Sequence, residues 1–257
     1  MNRYPVLGLL LVACLSCSCG QHARAQSEAV NPAITAAVAD PARPEADRQR
    51  DLKRKPAETL SFARVAPGEQ VGELLPGGGY FTRLLSKTVG STGHVYALAP
   101  PRAADASPDM PDFAARARLI AADPAYSNVS VLLEPLSAIK FPVPLDLVWT
   151  SQNYHDFHNV PGVDVIALDK QVFAALKPGG IYLVLDHAAA AGSADRDTAT
   201  LHRIDPETVK REVLAAGFRY AGSSELLRNP EDQHTASVFD PLIRGKTDQF
   251  ILEFVKP

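Results

Sequence analysis

Two short clusters in the chain set an imidazole beside a carboxylate, Tyr154-His155-Asp156 and Asp186-His187. A histidine next to a carboxylate can take a proton from a hydroxyl, an amine or a carbon acid, because the negative charge stabilises the imidazolium that forms. His155 or His187 is therefore the candidate general base, with Tyr154 and Asp156 completing the candidate catalytic set. A third group, His202-Arg203, stands just ahead of a helix start. From there it could close over a site, with Arg203 pairing an anionic substrate group. His155, Asp156, His158, Asp186, His187 and His202 are all metal-ligand types. No H-x-x-x-H or H-E-x-x-H spacing is present, however, so no metal is expected. G-x-S-x-G and P-loop signatures are also absent, which removes the usual support for hydrolase and nucleotide-triphosphatase chemistry.

Clusters so far apart in sequence need a scaffold that gathers them, and the chain alternates apolar runs with helical stretches in a regular way. Val71, Leu74 and Leu75 mark a first strand, His94–Ala99 a second, Val129–Leu133 a third, Leu145–Thr150 a fourth and Ile181–Leu185 a fifth. A sixth begins near Phe218, and Gln249–Val255 is the last. Helices are expected over residues 80–85, about 111–122, 163–176 and 206–216; the last has Asp205 as N-cap and Pro206 in its first turn. Such alternation implies a doubly wound α/β sheet with helices on both faces. In sheets of this kind ligands sit outside the carboxyl ends of the strands. Residues 154–156 follow the fourth strand and 186–187 the fifth, so the fold should bring the two imidazoles together.

Between the first strand and the first of these helices lies Leu75-Pro76-Gly77-Gly78-Gly79. Glycines suit a chain that must turn sharply and let its backbone close on a ligand. Amides at the start of the following helix would then face an anionic or polar group. The stretch from Arg228 to Lys246 is long for a hairpin connection and reads either as a lid or pocket wall or as a surface excursion.

From about Pro67 onward the order of motifs resembles the class I S-adenosylmethionine-dependent methyltransferases. The matching segments are residues 71–79, Glu134 ahead of Asp146, Leu176–Gly180 before the fifth strand and Val209–Phe218 before the sixth. The sequences at 153–156, 186–187, 201–205 and 245–250 are similar to an exported branch of predicted methyltransferases. The resemblance implies a Rossmann-like sheet of about seven strands, mostly parallel with an antiparallel last strand. It implies S-adenosylmethionine as cofactor, with Glu73 near its methionine amino end, Gly77, Gly78 and Gly79 against its backbone-facing side and Glu134 near the adenine. Two positions depart from the pattern. Leu75 stands where the loop usually has its first glycine, and Ala99 where an acid usually meets the ribose hydroxyls. Asp105 is the nearest carboxylate downstream.

Residues 1–25 read as an export signal: a basic Asn2-Arg3 start, an apolar run from Val6 to Ala13 and small residues after it. Two processing sites compete. Leu11-Val12-Ala13-Cys14 resembles a lipobox, which would leave an acylated Cys14 tethered to a membrane; Ala23-Arg24-Ala25 resembles an ordinary peptidase site. Residues 26–44 read as a flexible linker and 45–257 as the domain. All three cysteines lie at positions 14, 17 and 19, so the body has no disulfide, thiol nucleophile or cysteine zinc site. The charged run from Glu45 to Lys55 mixes both signs and reads as a solvated helical face. A net charge of −3 gives no footprint for nucleic acid. The expected partner is a small molecule in the periplasm or at a bacterial membrane surface. An exported enzyme would need imported cofactor, which keeps open a non-catalytic ligand-binding module on the same fold.

Overall fold

The computed structural model describes residues 1, 31–102, 107, 109 and 112–257. The export signal, both candidate processing sites and Asp105 lie outside the described residues. Short helices lead: α1 (Pro32–Ala39), α2 (Glu45–Arg48), α3 (Asp51–Arg54) and α4 (Pro56–Phe62). The alternating part follows as β1 (Gln70–Leu74), α5 (Tyr80–Val89), β2 (His94–Ala99), α6 (Ala115–Ala121), β3 (Val129–Leu133) and β4 (Leu145–Ser151). Then come α7 (Tyr154–Phe157), α8 (Val165–Ala175), β5 (Leu176–His187), α9 (Thr198–Leu201), α10 (Pro206–Ala215), β6 (Arg219–Ser224) and β7 (Gln249–Val255).

The strands form one sheet in the order β3-β2-β1-β4-β5-β7-β6. All neighbours from β3 to β5 pair in parallel, and β7 runs antiparallel between β5 and β6. Alternation along each strand divides the core. Leu147 and Trp149 of β4, with Leu183 and Leu185 of β5, pack toward α1, α4 and α5. Val148, Tyr182 and Val184 pack on the other face toward α8 and α10. Strands buried on both faces read as continuous apolar runs, which is why the sequence located them. The α10 start is as expected, with the Asp205 carboxylate accepting the Glu207 N–H at 3.0 Å.

Three readings need correction here. The segment assigned as a linker contains α1, whose start is capped by the Asn31 side chain accepting from the Ala33 N–H at 2.9 Å. Its Ile34 and Ala37 are buried against α5. An Ala- and Pro-rich composition resembles a tether, yet alanine is the best helix former and Ile34 and Ala37 share one helix face. Residues 154–157 form a helical turn, and β5 begins earlier than expected, with Leu176 already paired to Leu145.

The charged run is a solvated face only in part: Glu45, Arg48, Lys53 and Lys55 are exposed. Asp47 and Arg43 are buried, and Arg43 forms a two-pronged pair with Asp51 at 2.7 and 2.8 Å. Asp47 pairs with Arg83 of α5 at 2.8 Å, and Tyr80 donates its hydroxyl to Asp51 at 2.6 Å. Arg48–Glu45 and Arg50–Asp47 pair within the run, while Asp47 and Asp51 also reach Arg83 and Tyr80 of α5, which the run partly covers.

Candidate functional site

The order of the sheet reverses at β1, leaving a crevice beyond the carboxyl ends of β1 and β4. A cavity of about 500 Å³ occupies it, a volume typical of small-molecule sites. Glu73, Leu75, Gly77 and Gly78 wall it from β1 and its loop; Ser151, Gln152, Asn153 and Asp156 wall it from the end of β4. Pro100, Phe113 and Leu136 close an apolar side, and Arg50, Arg54 and Tyr80 the mouth.

The loop after β1 turns through left-handed backbone. Leu75 has φ 51°, at a position where the related motif carries glycine, so a Cβ is tolerated there at a strain on the order of 1 kcal/mol. Its N–H donates to the Leu98 carbonyl at 2.8 Å, and its carbonyl accepts from Asn153 Nδ2 at 2.7 Å. Asn153 thereby ties the β4 end to the β1 loop. The three glycines separate by role. A Cβ on Gly77 or Gly78 would meet nothing within 4 Å, leaving their backbone open to the cavity. Gly79 does not line the cavity; a Cβ there would fall 2.0 Å from Ile120 Cδ1, so it is glycine for packing against α6.

Glu73 forms the cavity floor and is buried. Burial pushes its carboxyl up to about 8; the 2.6 Å hydrogen bond from Thr82 and the charge of Arg83 recover only part of that. The acid is thus neutral at neutral pH and poised to ionise beside a cation. At the mouth the charges are opposite. Arg50 and Arg54 stack on Tyr80 at 5.1 and 4.7 Å from its ring centre. Burial, then the like charge of Arg50, lowers the Arg54 guanidinium to about 10, and its Nη2 donates to the Gln152 side chain.

The two predicted imidazoles meet, with ring centres 6.4 Å apart, but neither lines the cavity. Both are buried behind its wall. His155 Nδ1 lies 2.9 Å from Asp186 Oδ1, and its own N–H donates to Asp186 Oδ2 at 2.8 Å. Burial alone would lower the His155 pKa, but the Asp186 charge and hydrogen bonds to Asp156 and Asp186 raise it to about 10. In the metal-free protein the Asp186 charge thus favours the protonated ring, which makes His155 a poor general base. Burial lowers His187 to about 4 against the attraction of Asp186, and its Nδ1 lies 2.8 Å from Thr247 Oγ1. It stays neutral, yet faces a hydroxyl of β7's approach and not the cavity.

Of the four residues in the catalytic set only Asp156 reaches the cavity. Tyr154 is fully buried and donates its hydroxyl to Asp169 at 2.8 Å, so it belongs to the α8 and α10 packing. The substrate role of Arg203 is likewise corrected. Its guanidinium is fully buried, paired with Asp232 at 2.9 Å and donating to the Ala188 and Ala236 carbonyls. It fastens the 228–246 stretch, which lines no part of the cavity, to the sheet. His202 stands at the edge, its Nδ1 3.7 Å from Asp156 Oδ1. Glu134 is half-buried with its N–H on the Ala99 carbonyl at 3.2 Å, and is not among the cavity residues. Sequence reasoning missed Arg50, Arg54, Gln152 and Asn153. Only the Asn-Tyr-His-Asp run at 153–156 carried a signal for any of them.

Comparison with solved structures assigns the architecture. A S-adenosylmethionine-dependent methyltransferase from Aquifex aeolicus superposes with a TM-score of 0.59 at 18% identity, covering 82% of this chain and 95% of its own. The fold is that of the S-adenosylmethionine-dependent methyltransferases. The glycopeptide N-methyltransferase MtfA, solved with S-adenosylmethionine, matches with a TM-score of 0.52 at 18% identity over 78% of this chain and 86% of that one. The [4+2]-cyclase SpnF matches with a TM-score of 0.58 at 17% identity, over 82% and 81%. No protein-family model and no curated protein matches the chain by sequence.

The cavity fits an adenosyl sulfonium in three respects. Its volume suits a nucleoside-sized ligand, the Gly77-Gly78 backbone lies open to it, and the buried Ser151 hydroxyl on its wall has no partner among the described residues. Ala99 is buried and provides no acceptor for ribose hydroxyls.

Proposed function

We propose that the protein is a methyltransferase that binds S-adenosylmethionine in this cavity and acts on a small, anionic acceptor in the bacterial cell envelope. The observation that carries the reading is the cavity at the β1–β4 reversal, floored by Glu73 and rimmed by the open Gly77-Gly78 backbone. Bound S-adenosylmethionine would supply an electrophilic methyl group and leave as a neutral thioether. Glu73 would hold a cationic end of the ligand, ionising as it does so, and Gly77 and Gly78 would let the backbone lie against it. Arg50 and Arg54 would orient an anionic group of the acceptor at the mouth, as paired guanidiniums do for carboxylates and phosphates. Asp156 is the member of the predicted catalytic set placed to take a proton there. The envelope location is supported by the basic start, apolar run and lipobox-like or A-x-A sites of residues 1–25, and by a body free of cysteine.

Calorimetric titration of the purified protein with S-adenosylmethionine and S-adenosylhomocysteine tests the reading. Saturable binding of both is expected; no heat and no thermal shift at millimolar ligand would refute it. A second reading, a ligand-binding module without methyl transfer, is favoured by one observation: neither imidazole faces the cavity. Binding of both compounds without turnover on any anionic acceptor would select it.

A further inference from the structure

We propose that His155, Asp156 and His202 form a binding site for a divalent transition-metal ion on the cavity wall. One ligand atom from each residue lies within 4.8 Å of the other two. His155 Nε2 stands 3.3 Å from Asp156 Oδ1, and His202 Nδ1 stands 3.7 Å from the same oxygen. A tetrahedral ion with bonds near 2.1 Å separates its donors by roughly 3.4 Å. Small side-chain rotations therefore suffice to close the set.

What lies behind the cluster argues for a metal over a chance meeting. His155 Nδ1 is engaged by Asp186, whose side chain is fully buried and also accepts the backbone N–H groups of His155 and His187 at 2.8 and 2.7 Å. These bonds hold Asp186 in place, so the ring presents Nε2 to Asp156, and a bound metal would take the place of the Nε2 proton. A buried carboxylate that fixes the far nitrogen of a ligating imidazole is the usual support of a histidine metal ligand. The third ligand is fixed as well. The His202 ring packs edge-on against His155 at 5.4 Å and against Phe239 at 4.7 Å. Three protein donors leave coordination positions open, and Asp156 directs them at the cavity. Two imidazoles and one carboxylate suit zinc, cobalt, nickel or iron(II) better than magnesium or calcium, which prefer oxygen. Spacing rules could not reveal the site, because His202 arrives from beyond β5 while the other two ligands follow β4.

The site does not depend on the methyltransferase reading, and its test uses metal alone. Chelator-treated protein is titrated with Co²⁺ and followed by visible absorption, then back-titrated with Zn²⁺. One equivalent per chain is expected, with ligand-field bands of a nitrogen- and oxygen-bound ion that Zn²⁺ abolishes. His202→Gln and Asp156→Asn, both in partly exposed side chains, should weaken Co²⁺ binding by about tenfold or more with an unchanged melting temperature. His94→Gln, at the amino end of β2 and so at the opposite end of the sheet from the site, should bind like the parent. Absence of Co²⁺ binding at millimolar metal, or equal affinity in all three variants, would overturn the proposal. Either result leaves the S-adenosylmethionine titration to stand or fall separately.

Discussion

Replacing Glu73 by glutamine should abolish the pH dependence with which a cationic adenosyl ligand binds. In the free protein the Glu73 carboxyl ionises near 8, because burial outweighs the Thr82 hydrogen bond and the Arg83 charge. A ligand cation next to it favours the carboxylate, so binding must release the proton. The ionised fraction of a group with that pKa rises from about 0.3% at pH 5.5 to about 9% at pH 7, and a ligand needing the carboxylate gains about 30-fold in affinity over that interval. The ligand's own α-amino group stays charged throughout the interval, its ordinary pKa being about 7.7–8.0. Calorimetry at pH 6.5 in two buffers of different ionisation enthalpy should count close to one proton released per S-adenosylmethionine bound. In Glu73→Gln the release and the slope should both vanish. Stability supplies an independent check with its own sign. The folded pKa is raised above the ordinary 4.5, so the folded state holds the extra proton between those values, and stability falls as pH rises from 4.5 through 8. At about 1.4 kcal/mol per unit the loss is on the order of 5 kcal/mol, and the glutamine variant should not suffer it. Affinity that is flat with pH in the parent, or an unchanged slope in the variant, would refute the assignment of Glu73 as the cation-facing floor.

The glycine loop divides by position: both Gly77 and Gly79 have positive φ, but only Gly79→Ala also drives a Cβ into Ile120 and should lower stability by about 2–4 kcal/mol in chemical denaturation, while Gly77→Ala, with open space around it, should cost only about 1 kcal/mol of backbone strain and act on ligand affinity. Equal destabilisation by both would remove the distinction. Ile34→Ala should cost about 2–5 kcal/mol, because Ile34 is buried between α1 and the body; a melting temperature like the parent's would restore the linker reading. Arg203→Met strands the buried Asp232 carboxylate and should destabilise by about 3–5 kcal/mol without changing ligand affinity. Lost affinity at parental stability would return Arg203 to the substrate site.

The scaffold was legible because its signals are local. Residues 71–79 announce strand, turn and helix within nine positions, and strands such as β5 declare themselves by apolar runs that only a sheet covered on both faces requires. The glycines were read correctly as a turn, but their separate duties were not, since Gly79 answers to Ile120, which arrives with α6 from far along the chain. The same limit governs the site. His155, Asp186 and His187 were expected to converge, and they do; which way each ring faces depends on Asp186 claiming Nδ1 and on Thr247 meeting His187. Arg54 looked like solvated charge because its partners, Tyr80 and Gln152, lie outside the run that contains it.

Under the proposed function, those orientations would decide where a proton could go during methyl transfer. A neutral oxygen or nitrogen nucleophile must shed one as its new bond to carbon forms. His155, raised to about 10 once the Asp186 and Asp156 contributions overcome burial, already carries a proton at neutral pH. His187, lowered to about 4 chiefly by burial, accepts one only in acid and lies behind the wall. Glu73 would be committed to the ligand cation. That leaves Asp156, whose carboxylate faces the cavity with the cationic His155 ring behind it and His202 beside it. In the metal-free protein the imidazole that sequence alone nominated as the base would instead supply positive charge beside that carboxylate. On the proposed function, proton transfer would fall to the acid of the His-Asp pair and not to the histidine.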